Sequence, residues 1–250
     1  MLRSIKSINV YILNAQDGHI GRCKDFLFDD EFWTTRCMVA DTGKWLPGRL
    51  VLISPISLRE PDWEQRLFSV RLTKDQIKDS PGIEEKMPVS VQNEIELFRY
   101  YGWPYYWAGT HTLGSAAYPT RLYDKNISNE KKSEKSNSRK DHLRSTNEVI
   151  GYHIQATDDE VGHVEDFIVD DHTWTIRYVV VDTRNWLPGK KVLVAPEWID
   201  SIDWDNRKVH IDLTRTKIKD CPEYDPSMPI NREYEERLYD FYGRPQYWTK

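Results

Sequence analysis

Nowhere does this chain run apolar for the roughly 18 residues that a bilayer-crossing helix needs. Its longest apolar runs, such as Val179-Val180-Val181, are strand-sized. The opening residues Met1 to Lys6 lack the apolar centre of a secretion signal. The chain is therefore expected to be soluble and cytoplasmic, with no membrane insertion. Cysteine is scarce: Cys23, Cys37 and Cys221 form an odd set without Cys-x-x-Cys spacing. That argues against a disulfide framework and against a thiolate zinc site. Cys23 and Cys37 are expected on neighbouring strands, as buried thiols. No His-x-x-x-His, no Gly-x-Gly-x-x-Gly and no Gly-x-x-x-x-Gly-Lys-Ser/Thr occurs. Helical metal-binding pairs and phosphate cradles of those types are thus excluded, and no cofactor is expected.

What is present is one module written twice. Residues 4–107 align with 145–248 at a constant shift of 141, and 40 of the 104 aligned pairs are identical. Asp41-Thr42 matches Asp182-Thr183, Trp45-Leu46-Pro47-Gly48 matches Trp186-Leu187-Pro188-Gly189, and Tyr106-Trp107 matches Tyr247-Trp248. A period this long exceeds the 20 to 50 or so residues of a solenoid unit. Each copy has the length of a small domain. The organisation expected is a first copy over 1–107, a flexible polar linker over 108–144, and a second copy over 145–250. A Lys-, Ser- and Asn-rich stretch such as 124–144 has little apolar surface to bury. About 37 residues of flexible chain would average roughly 30–35 Å end to end.

Charge is unevenly distributed: net −1 over 1–107, +4 over 108–144 and −8 over 145–250. An acidic second copy repels phosphate backbones, and the basic stretch around Lys131 to Lys140 has no interleaved aromatics. Nucleic acid is not an expected partner.

The first two-thirds of each copy reads as β. In the second copy, strands are expected at Val149 to Ile154, Val161 to Val169, Thr175 to Asp182, Lys191 to Ala195 and Lys208 to Leu213, with polar turns between them. Short strands on tight turns suggest a small barrel. A short helix follows, with Thr73 or Thr214 as N-cap, ending before Pro81 or Pro222. A second helix is expected near Ser90 to Tyr101, with Leu97 and Tyr101 on one face, as are Leu238 and Tyr242. Both copies finish in aromatic tails.

The order Asp-x-x-x-Gly, Asp-Phe-x-x-Asp-Asp, a short apolar strand ending in Pro, then Leu-Thr-x-x-x-Ile-Lys-Asp-x-Pro resembles the PRC-barrel domain. It is carried by Asp17, Gly21, Asp25-Phe26, Asp29, Val51-Leu52, Pro55, Leu72-Thr73 and Pro81, and by Asp158, Gly162, Asp166-Phe167, Asp170, Val192-Leu193, Pro196, Leu213-Thr214 and Pro222. The family includes the cytoplasmic domain of the photosynthetic reaction-centre H subunit and the C-terminal domain of a ribosome-maturation factor. The resemblance implies a mainly β fold of two small barrels, each with a helical and aromatic extension, and a docking role without catalysis. The membrane helix of the H subunit has no counterpart here, so its electron-transfer setting is not carried over.

Candidate sites follow from the twins. No histidine has a histidine twin, so a nucleophile–base pair shared by both copies is absent, and no catalytic residue is assigned. The repeated acids Asp25, Asp29, Asp166 and Asp170 could hold a divalent ion, although Asp in a hairpin turn commonly bonds the adjacent backbone. A metal or small-ligand sensor on those acids is the alternative function, and a hydrolase with one active copy near His163 is the second. The preferred surface is aromatic: Tyr101, Trp103, Tyr106, Trp107, Tyr242, Tyr247 and Trp248, because Trp and Tyr bury large areas at little entropic cost. The leading expectation is a non-enzymatic interaction or scaffold module for a protein partner the sequence does not name. Its two copies are expected to pair as an intramolecular pseudo-dimer, with a homodimer also open.

Overall fold

The computed structural model describes residues 1–82, 91–103, 105, 143–183 and 190–249. The fold is mainly β, with two sheets. No helix among the described residues is long and apolar enough to cross a membrane. Two compact units are present. The first comprises Met1, Arg3–Asn147 and Asp170–Thr175; the second comprises Leu2, Glu148–Val169 and Ile176–Lys250. The first unit therefore takes in two segments that the internal alignment places in the second copy.

In the first unit, β2 (Ile12–Ala15), β3 (Gly18–Asp29), β4 (Thr34–Asp41), β5 (Leu50–Ile53) and β6 (Leu67–Ser69) form a sheet in the order β5-β4-β3-β2-β6. All pairings along it are antiparallel except β2 with β6, which is parallel. Single bridges Leu58↔Val70 and Asp62↔Leu67 continue the sheet past β6. That last segment leaves β5 through a tight 3-10 corner at Pro55–Ser57. The two ends of the sheet path are thus joined by a few residues of chain.

The long strand β3 has two buried faces. Phe26 and Phe28 point to one side, where Phe28 stacks on Trp33 at 5.3 Å. Leu27 points to the other, joining Cys37, Val39 and Leu52 under Leu97 of a covering helix. This double coverage explains why seven of the eight residues of β4 are buried. After the four-residue helix α1 (Ile5–Ile8), the short helix α2 (Lys74–Lys78) has the expected cap: Thr73 Oγ1 accepts from Gln76 N, and the Gln76 side chain accepts from Thr73 N. The covering helix α3 spans Val91–Tyr101; the expected start at Ser90 lies outside the described residues, as do 106–142 and the turn Trp186 to Gly189.

Gly21 shows why the Asp-x-x-x-Gly pattern is there. Its φ is +138°, and a Cβ would lie 1.9 Å from the Asp41 carbonyl oxygen. β3 and β4 can cross this closely only if that position has no side chain.

The second unit repeats the plan. Here β8 (His153–Gln155), β9 (Glu160–Asp170), β10 (Ile176–Asp182), β11 (Lys191–Val194), β12 (Ile199–Asp203) and β13 (Lys208–Ile211) run in the order β11-β10-β9-β8-β13-β12. β1 (Leu2–Ser4), whose Leu2 belongs to this unit, pairs with β9. Gly162 repeats the close approach, with a Cβ 2.1 Å from the Asp182 carbonyl oxygen. Helix α5 (Arg215–Asp220) follows Thr214, and α6 (Arg232–Tyr242) starts at Asn231, whose side chain accepts from Tyr234 N. Gly243 ends α6 in a left-handed conformation, φ +64°.

The strand expected at Val149 to Ile154 is corrected: only His153–Gln155 is strand, and Thr146–Val149 is the short helix α4. The apolar pair Val149-Ile150 suggested β, but a carboxylate from β3 accepts the hydrogen bonds of the segment's first residues and favours a helical turn. The three cysteines are free and buried. Cys23 faces Ala40 and Cys37 faces Leu27, so the two thiols occupy different rungs of one ladder.

Candidate docking site

β3 is 12 residues long, but β2 pairs only with its first part, Gly18 to Arg22. The same edge further along would be a row of unpaired N–H and C=O groups, which is a ready template for another strand. That half-edge is filled by β7 (Leu143–Ser145), antiparallel, with Leu27↔Ser145, Phe28↔Arg144 and Asp29↔Leu143 in register. The added strand is anchored through its side chains. Leu143 is buried in the cluster of Leu27, Cys37, Val39, Leu52 and Leu97. The Arg144 guanidinium lies 3.9 Å from the Asp30 carboxylate.

Asp25 clamps the next residues. Its Oδ1 accepts from Thr146 Oγ1 at 2.8 Å and from Asn147 N at 3.2 Å, and its Oδ2 accepts from the Ser145 hydroxyl. Phe26 N donates to Oδ1 at 2.7 Å. Asn147 Nδ2 adds a bond to the Lys24 carbonyl at 3.0 Å. Burial raises the Asp25 carboxyl above the usual aspartate range, and the bonds from Ser145, Thr146, Phe26 and Asn147 pull it partly back. Hydrogen bonds to a charged acceptor are each worth about 1.5–3 kcal/mol, so this clamp outweighs an ordinary turn contact.

A hairpin tip, Asp170–Thr175, is the other segment taken into the first unit. Trp174 is 1% exposed at φ +59°. Its ring stacks on Phe26 at 5.9 Å and tilts against Phe68 at 6.1 Å. Its carbonyl accepts from Thr35 N at 2.7 Å, beside the bridge Thr34↔Thr175. Arg3 Nε donates to Asp171 Oδ2 at 2.8 Å, and the Arg3 guanidinium sits 3.7 Å over the Trp63 ring. A cleft of about 330 Å³ lies here, with Arg59, Trp63, Arg71, Asp171 and Trp174 in its walls.

The aromatic residues singled out in the sequence lie against their own units. Tyr101 stacks on Trp103 at 4.3 Å, and both pack on the cluster under Leu97. Burial pushes the Tyr101 hydroxyl up to about 12. Tyr106 and Trp107 lie outside the described residues. In the second unit, Tyr242 is buried against Trp198 at 4.6 Å, and Trp248 meets Tyr239 edge-on at 5.2 Å. The centre of this tail is a residue that sequence reasoning passed over. Glu235 is 3% exposed, and its Oε1 accepts from the hydroxyls of Tyr178 and Tyr247 at 2.8 Å each. Arg232 bonds Glu235 at 3.0 Å and lies 4.0 Å over the Trp248 ring, while Arg177 lies 4.2 Å over Tyr247. Burial, then the Glu235 charge, raises Tyr247 to about 12. The signal was available: Glu94 and Glu235 are an identical twin pair, and both are buried.

Of the four repeated acids, Asp29 and Asp170 do turn chemistry, whereas Asp25 and Asp166 lie within β3 and β9. Asp29 Oδ1 accepts from Glu31 N and Phe32 N, and its Oδ2 is 3.5 Å from the buried Arg36. Asp170 accepts from His172 N, and Asp166 from Phe167 N. Thr42 donates to the Leu46 and Arg49 carbonyls and Asp41 accepts from Gly43 N, so the Asp-Thr pair pins the following loop. Among the described residues, the three-residue group with ion-holding geometry is His163, Glu165 and Asp182, within 4.8 Å of one another. None of Asp25, Asp29, Asp166 and Asp170 belongs to it, and Lys191 Nζ already lies 3.5 Å from Glu165.

Comparison with known proteins agrees on the fold type. Residues 142–218 match the PRC-barrel domain family. The matched stretch begins at the docked strand and ends within α5. An uncharacterized protein of Deinococcus radiodurans is 38% identical over 66 residues, covering 26% of this chain and 23% of that protein. The chain thus spans about a quarter of that relative's length.

Proposed function

We propose that this chain is a non-enzymatic, cytoplasmic interaction module built from two tandem PRC-type copies, and that it works by holding an extended segment as an added strand. The observation that carries this reading is the half-edge of β3 filled by β7 and clamped by Asp25. Strand addition supplies main-chain hydrogen bonds from the sheet and side-chain pockets for selectivity. Both ingredients are present: the ladder, and a pocket, a carboxylate and a clamp for Leu143, Arg144 and Ser145 in turn. The PRC-barrel match and the docking character that the resemblance implies support the same reading. The first copy belongs with the second on its 40 identities and on the shared strand order.

Amide exchange tests it. In the wild-type chain, the amides of Leu143–Ser145 should be protected at the level of β4. Asp25→Ala should raise their exchange by at least one to two orders of magnitude, because each clamp bond lost removes about 1.5–3 kcal/mol. The amides of β13 should not change. Rapid exchange of Leu143–Ser145 in the wild-type chain would remove the reading.

A further inference from the structure

One rung of the second unit's sheet carries ionisable side chains on four adjacent strands. His153 of β8 stands opposite His163 of β9, His163 opposite Asp182 of β10, and Asp182 opposite Lys191 of β11. Residues directly opposite in an antiparallel ladder share a face, with their Cβ atoms about 4.5–5.5 Å apart. Glu165, two residues on from His163, points to that face, and the buried Val164 between them points to the other. A nitrogen or oxygen from each of His163, Glu165 and Asp182 lies within 4.8 Å of the others. Asp182 is fully buried, and the His163 imidazole has no hydrogen-bond or ion-pair partner among the described residues. His153 Nδ1 lies 2.9 Å from Glu160 Oε1. A carboxylate on one ring nitrogen fixes the imidazole and leaves the other nitrogen for an ion, which is how metal-bound histidines are supported.

The first unit has the same rung without these ligands. There Ile12 stands opposite Arg22, Arg22 opposite Asp41, and Asp41 opposite Leu50, while Lys24 takes the position of Glu165. The aspartate is common to both copies. The first sets permanent cations at the two positions where the second sets a histidine and a glutamate. We infer that the second unit binds a divalent ion of the zinc class at this rung, with His163, Glu165 and Asp182 as ligands and His153 as the fourth. The site lies in the other unit from the docked strand and does not rest on the docking reading. Imidazole nitrogen together with carboxylate oxygen suits Zn²⁺ and Co²⁺ better than Ca²⁺ or Mg²⁺, which take oxygen ligands. The two carboxylates balance the charge of the ion. Ligand atoms around a four-coordinate zinc lie about 3.4 Å apart, given bonds of about 2.0–2.2 Å. His163 and Glu165 are half-buried, so rotation of their side chains closes the remaining gap. Lys191 Nζ, 3.5 Å from Glu165, is the cation that the ion displaces, and its twin is Leu50.

The test uses the full-length chain with Co²⁺ as the visible probe and Zn²⁺ as its competitor. The wild-type chain should take up one Co²⁺ per molecule, lose the Co²⁺ absorption when Zn²⁺ is added, and melt at a higher temperature with Zn²⁺ than without. His163→Arg combined with Glu165→Lys installs the residues that the first copy carries, so this variant should fold and should lose about 100-fold or more in affinity. His153→Gln should weaken binding by about tenfold or more, and Lys191→Leu should tighten it. His172→Gln, at an exposed histidine away from the rung, should change nothing. If the double variant does not fold by circular dichroism, His163→Gln takes its place. No Co²⁺ uptake by the wild-type chain overturns the inference. So does equal uptake by the His163 variant or by His153→Gln, which would mark the binding as adventitious.

Discussion

Trp174→Ala should strongly destabilise the first unit while leaving the second largely unaffected. By position in the sequence, Trp174 belongs to the second copy, twin to Trp33. By packing it belongs to the first unit, where its ring stacks on Phe26 and meets Phe68. Removing a fully buried tryptophan costs about 3–5 kcal/mol. That is a large share of the 5–15 kcal/mol or so that stabilises a typical domain. Part of the cost is offset because the left-handed conformation at residue 174 strains alanine less than a bulky side chain. The expected result by hydrogen exchange is faster amides in β3 and β4, with β11 and β13 retaining protection. Loss confined to β9 and β10 would show that the tip serves only its own hairpin.

Gly162→Ala should be as damaging in the second unit. The new methyl carbon would lie 2.1 Å from the Asp182 carbonyl oxygen, which is backbone and has no rotamer to escape into. The φ of +134° is also one that alanine rarely adopts. β9 and β10 must separate at that rung, or the residue must change its backbone conformation. Overpacking of this kind costs about 1–3 kcal/mol or more, and the strained backbone adds about 1–3 kcal/mol. Urea melts should show a drop of about 3 kcal/mol or more. Gly21→Ala repeats the experiment in the first unit against Asp41. A change below about 0.5 kcal/mol in both would contradict the close approach, since that is the scale of ordinary surface substitutions.

Much of the fold was legible in the sequence because its determinants are local. β-branched runs gave β9, β10, β11 and β13 within a few residues, and Thr73 was readable as a cap three residues before Gln76. The twin glycines were visible as a pattern, although the carbonyl they face was not. What was hidden depends on partners far along the chain. Asp25 stands out as a repeated acid, but the Ser145 that it binds is 120 residues away. Three residues of Leu-Arg-Ser have neither alternation nor β-branching to mark a strand, and they become one only by pairing with β3. Val149-Ile150 shows the converse: two β-favouring residues are overridden where a carboxylate caps the preceding helical turn. The aromatic tails were visible by composition. The buried acid that organises the second one was marked only by its twin Glu94; taken alone, one glutamate in a helix of charged residues looks solvent-facing until Tyr178 of β10 and Tyr247 of the tail close over it.

Residues beyond the polar stretch 124–140, at 143–147 and 170–175, are structural parts of the first unit. A protease site inserted within that stretch cuts the chain while leaving both copies of the module whole. After cleavage, the fragments should co-elute on size exclusion at micromolar concentration under native conditions. They should separate when Asp25→Ala and Trp174→Ala are combined. Wild-type fragments that part on cleavage, each folded on its own, would contradict the account.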